Sequence, residues 1–87
     1  MKLKQEFVLR RIGADYILVP VASGGDTFAG LISFNETGAF IWQQIESGKN
    51  EEEIVAALLE EYEVEPETAS AHVAKQCDDL RKLGILE

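Results

Sequence analysis

At Asn35 the period of the hydrophobic pattern changes from two to 3.6, and this change constrains the fold more than any other feature. Before it, Phe28, Ile32 and Phe34 fall on one face of an extended segment, with Ala29, Leu31 and Ser33 on the other. After it, Ala39, Ile41, Trp42 and Ile45 form an apolar stripe at helical spacing. Asn35 is a good N-cap type, and Glu36 suits the positive end of the helix dipole. A strand therefore leads directly into a helix here.

The rest of the chain divides around that point. Phe7–Ile12 and Tyr16–Val21 are short, partly β-branched apolar runs across a Gly13-Ala14-Asp15 link, which reads as a hairpin. Pro20 cannot donate to a ladder, so it belongs at a strand end or an edge. Residues 22–27 read as a loop, and Gly30 as a bulge or close-approach position. Beyond Gly48, Asn50 and Glu53 have capping-box spacing and open an amphipathic segment carrying Ile54, Ala57, Leu58 and Tyr62. Pro66 fits the first turn of a last helix, whose inner stripe is Ala69, Val73, Gln76, Leu80 and Leu83, with Cys77 beside it. Gly84 ends that helix, and Ile85-Leu86 can fold back as a hydrophobic tail.

The order is three strands, then three helices: an α+β domain over residues 1–87. The sheet spans about 7–34 and the helices about 35–47, 50–63 and 66–84. A three-stranded antiparallel sheet on three helices also describes a winged helix-turn-helix.

Composition narrows the function classes. The 87 residues carry a net charge of −8, which works against binding a nucleic-acid backbone. Residues 50–67 hold eight glutamates and no base, read either as a solvated helix face or as an electrostatic docking face. No apolar run is long enough to span a membrane. Met1-Lys2-Leu3-Lys4 leads into no apolar signal region, so the expected address is the cytoplasm. The lone cysteine, Cys77, fits a reducing compartment. It and His72, the lone histidine, lie about 140° apart around one helix, so they share no face. No metal-binding cluster and no nucleophile–base pair is evident, and an enzyme is not expected.

The run Phe34-Asn35-Glu36-Thr37-Gly38-Ala39-Phe40-Ile41-Trp42 resembles the PqqD family. So do the Val8-Leu9-Arg10-Arg11 and Tyr16-Ile17-Leu18-Val19 strands, the Gly48-x5-Ile54-Val55 spacing, and the closing Leu80-Arg81-Lys82-Leu83-Gly84-Ile85-Leu86. Proteins of this kind, also called RiPP recognition elements, hold the leader of a ribosomally made precursor peptide for a modifying enzyme. The resemblance implies a winged helix-turn-helix fold and a non-catalytic peptide-binding chaperone without a cofactor. It further implies a precursor-peptide partner and a modifying enzyme, of the radical SAM or a similar type. It does not mark pyrroloquinoline quinone itself as the product. The segment Val21–Phe28 is longer and richer in Gly than a tight family hairpin, which alters the sheet edge.

The mechanism implied is β-augmentation: the leader adds as a strand beside the third strand, its side chains entering a groove against the last helix. Ala29, Gly30, Leu31, Ile32 and Ser33 would then pair with the peptide backbone. Val73, Leu80 and Leu83 would form an apolar floor. His72 and Gln76 would hydrogen-bond, and Asp79 would meet a basic leader residue. Each position has a plainer reading. Val73 and Leu80 fit a core stripe, Leu31 fits either role, and His72 and Asp79 fit ordinary surface. Trp42 reads as core, and the Asn35–Ala39 run as a determinant of the fold. Competing functions are an interaction subunit that lost the groove, and a DNA-binding winged helix. In the latter, Lys75, Arg81 and Lys82 would be offset by Asp78 and Asp79. A free third-strand edge could also pair with a second copy, giving a homodimer.

Overall fold

The computed structural model describes residues 2–4, 6–21 and 32–87. Three strands, β1 (Phe7–Ile12), β2 (Asp15–Pro20) and β3 (Ile32–Phe34), precede three helices, α1 (Glu36–Glu46), α2 (Glu51–Glu61) and α3 (Pro66–Lys82). The sheet is antiparallel in the order β1-β2-β3. The architecture is the α+β arrangement expected. Of the expected third strand, Ile32–Phe34 is a strand. Phe28–Leu31, the loop at 22–27 and most of the Val21–Phe28 departure lie outside the described residues.

The β1–β2 turn is tighter than the three-residue link expected. Ile12 pairs with Asp15, leaving only Gly13 and Ala14 between the strands. Gly13 takes φ of +63°, which its missing Cβ allows and which a two-residue type II′ hairpin requires at that position. Asp15 therefore belongs to β2.

Register gives the sheet one dry face. Leu9 pairs with Leu18, and Leu18 with Ile32, while Tyr16 pairs with Phe34. Leu18 is buried, and Leu9, Ile32 and Phe34 pack against the core. Val8, Arg10 and Ile12 alternate to the exposed face of β1. On β3, Ile32 and Phe34 are half-buried while Ser33 is exposed, as the period of two requires.

The helices begin and end where their local chemistry dictates. The Gly38 N–H donates to Asn35 Oδ1 at 2.8 Å, capping α1. Asn50 and Glu53 form a complete capping box on α2, each side chain accepting from the other's backbone N–H at 2.9 Å. Pro66 occupies the first turn of α3, where a missing N–H costs nothing. Gly48 and Gly84 take left-handed φ just beyond α1 and α3.

Trp42 anchors the core at 0% exposure. Phe7 meets it edge-on at 5.7 Å between ring centroids, and Phe34 stacks on it at 6.3 Å. Ile41, Ile45, Ile54, Leu58 and Val73 complete the packing. The tail folds back as expected: Ile85 and Leu86 are buried. It is held by an antiparallel bridge between Leu3 and Leu86. There the Lys4 N–H donates to the Ile85 carbonyl at 2.8 Å and the Glu87 N–H to the Lys2 carbonyl at 3.0 Å.

Candidate functional site

β3 and α3 form the two walls of an open groove of about 460 Å³. Ile32, Ser33 and Phe34 line the strand side, and Ala71, His72, Lys75, Gln76, Asp79, Leu80 and Leu83 the helix side. The strand side follows from the period of two. Ile32 and Phe34 turn their side chains to the inner face of the sheet, where α3 lies. The helix side follows from the 3.6 period: positions 72, 76, 79, 80 and 83 share one flank of α3. Among the described residues, β3 has no neighbour on its far edge, so its outward backbone N–H and C=O groups can take a further strand.

The groove is apolar at depth and polar at its rim. Leu80 is buried and forms floor; Leu83 is 45% exposed and forms wall. Gln76 is half-buried, and its Nε2 donates to the Gly38 carbonyl at 2.9 Å, tying α3 to the first turn of α1. On the rim, Lys75 and Asp79 form an exposed ion pair at 2.8 Å, which raises the Lys75 pKa above its usual value. Asp79 thus already has a cationic partner. A basic group on a ligand would have to share or displace Lys75.

The expected site residues divide accordingly. Ile32, Ser33, His72, Gln76, Asp79, Leu80 and Leu83 come together around the groove. Ala29, Gly30 and Leu31 lie outside the described residues. Val73, expected as apolar floor, is fully buried and is not among the residues that line the groove. Helical geometry sets it with Ala69, Cys77 and Leu80 on the core-facing stripe of α3. Cys77, placed beside the stripe by sequence, is at its centre, and burial pushes its thiol pKa up. That suppresses the thiolate a nucleophile would need. Three further residues line the groove that sequence reasoning does not assign to it: Phe34, Lys75 and Ala71. By sequence Phe34 is a strand residue and family marker, and Lys75 a surface cation. The spacing of Ala71, Lys75 and Asp79 at i, i+4, i+8 is the signal available for the last two.

The cations of α3 are engaged with acids. Lys82 meets Asp78 at 3.1 Å, and Arg81 meets Glu51 at 3.4 Å, alongside the Lys75–Asp79 pair. Phosphate contacts from this helix would compete with those carboxylates. Among the described residues, no group of three or more His, Cys, Asp or Glu is placed to hold a metal ion. Among the same residues, no helix is long and apolar enough to cross a membrane.

Comparison with known proteins places these features. The structure described as TbiB1 in complex with the TbiA(beta) leader peptide matches with a TM-score of 0.76 and 28% sequence identity, covering 100% of this chain and 95% of that one. No curated protein matches the sequence. The family model described as coenzyme PQQ synthesis protein D (PqqD) matches residues 16–86, from the second residue of β2 through the folded-back tail. The chain therefore belongs to the PqqD family.

Proposed function

We propose that this protein is a non-catalytic chaperone for the leader of a ribosomally synthesised precursor peptide. The leader joins the sheet as a fourth strand along the free edge of β3. Alternate side chains enter the groove against α3, while backbone hydrogen bonds supply affinity common to any sequence. The bound peptide is then presented to a modifying enzyme.

The observation that carries this reading is the pairing of a strand edge with an apolar groove, on a fold shared with a protein solved with a leader peptide bound. The chemistry of the groove supports it. Ile32, Phe34, Leu80 and Leu83 offer apolar contact, and the His72–Asp79 rim offers polar contact. Among the described residues, no pair of groove side chains makes the nucleophile–base contact that covalent chemistry requires. Ordering a flexible leader opposes binding, so affinity is expected to be moderate.

The test is calorimetric titration with synthetic peptides copied from short precursor-like reading frames beside the gene. Saturable one-to-one binding, lost on Leu83→Asp in a protein that keeps its melting temperature, supports leader capture. Binding to none of these peptides by folded protein would favour an interaction subunit that kept only the fold.

A further inference from the structure

The first turn of α1 does more than start a helix. The Phe34 ring lies against the backbone of Gly38: a Cβ at position 38 would sit 3.0 Å from Phe34 Cδ1 and 3.1 Å from its Cβ. Both distances are shorter than ordinary van der Waals contact, so a side chain there requires Phe34 to shift by a few tenths of an ångström. The ring also stacks on Trp42, with centroids 6.3 Å apart and planes at 30°. Trp42 is fully buried, so the ring has no room to retreat inward. Its open side is the groove.

Two hydrogen bonds fix the same turn. The Gly38 N–H is held by the Asn35 side chain at 2.8 Å, and the Gly38 carbonyl by Gln76 Nε2 at 2.9 Å. The second bond comes from the opposite wall. It links α3 to the residue on which the β3 wall rests.

We infer that Gly38 and Gln76 are positioning residues for peptide binding: they hold the Phe34 ring flat as groove floor and set the separation of its two walls. This inference rests on the leader-binding reading. Gly38 suits this position because a residue without a Cβ lets the ring lie against the helix backbone with no shift. Gly38→Ala shifts the ring outward by a few tenths of an ångström, toward the space a leader side chain would occupy. Phe34→Ala in the same protein removes Cδ1 and Cγ, the ring atoms that collide, and leaves only the Cβ contact.

The experiment compares wild type, Gly38→Ala, Phe34→Ala and the double variant. Each is titrated with fluorescein-labelled peptides copied from the N-terminal halves of the neighbouring precursor-like reading frames, with thermal melts run alongside. Gly38→Ala is expected to weaken binding about tenfold in the wild-type background and less than about twofold in the Phe34→Ala background, a coupling that contact between the two residues requires. Equal losses in both backgrounds would overturn the inference. So would a Gly38→Ala protein that melts earlier yet binds as tightly as wild type while folded, since that is the signature of a purely structural glycine. A wild-type protein that binds none of the peptides would instead overturn the leader-binding reading, and the floor's role with it.

Discussion

The Tyr62 hydroxyl donates a 3.1 Å hydrogen bond to the Glu36 carboxylate, joining the end of α2 to the start of α1 across 26 residues of sequence. Phe40 packs edge-on against the same ring, with centroids 5.5 Å apart. Burial, and then the bond to Glu36, raise the Tyr62 pKa above its usual value of 10.0. A raised pKa favours the neutral phenol in the folded state. The stability it contributes is therefore fully present below pH about 10 and is lost as pH rises through the folded-state value. Urea midpoints measured from pH 8 to 11 are expected to fall more steeply for wild type than for Tyr62→Phe.

Cys77 predicts a second alkaline effect with the same sign. Burial raises its pKa, so its contribution holds below the usual thiol value and declines above it. Thiol-reactive probes are expected to label native protein far more slowly than urea-unfolded protein at pH 8. Equal rates would place Cys77 at the surface rather than in the core.

The clasp of the chain ends is predicted to be structural. Leu86 is 1% exposed and pairs with Leu3 outside the main sheet. Leu86→Ala is expected to cost about 2–5 kcal/mol by urea unfolding, the range for a large-to-small core change. Asn35→Ala, which removes only the cap on α1, is expected to cost about 1 kcal/mol.

Local chemistry makes much of this fold legible in the sequence. Asn35, Asn50, Pro66 and Gly84 punctuate helices through contacts within a few residues, so their roles can be read without tertiary information. The inner face of α3 is harder. The sequence pattern puts Gln76 in the inner stripe with Cys77 beside it, but helical spacing alone does not decide which of these neighbours turns inward. The contacts decide it: Cys77 is buried in the core, while Gln76 reaches the Gly38 carbonyl. The Leu3–Leu86 bridge is not legible, because a single pair between distant chain ends leaves no period. The groove is half legible. Its helix residues share a flank, but the part played by Phe34 depends on Gly38 and Trp42 being beneath it.

The Lys75–Asp79 pair separates stability from recognition. Both side chains are exposed, at 77% and 51%, so screening leaves the pair little weight in folding. Lys75→Ala is expected to leave the melting temperature unchanged. It frees Asp79 at the groove rim, so peptides with a basic residue near that position should bind more tightly and acidic ones more weakly. This is read by titrating a peptide pair that differs at one site, at low and at physiological salt. No change in the ratio of the two affinities would remove Asp79 from peptide recognition.

The most direct test of leader capture is an amide NMR titration of the folded protein with neighbouring precursor-derived peptides. Strand addition at the groove predicts saturable shifts concentrated at residues 32–34 and along the 71–83 flank of α3, with slowed amide exchange on β3 as its free edge gains a partner. Saturable shifts confined to other surfaces, or none while the protein remains folded, would contradict strand addition at this groove.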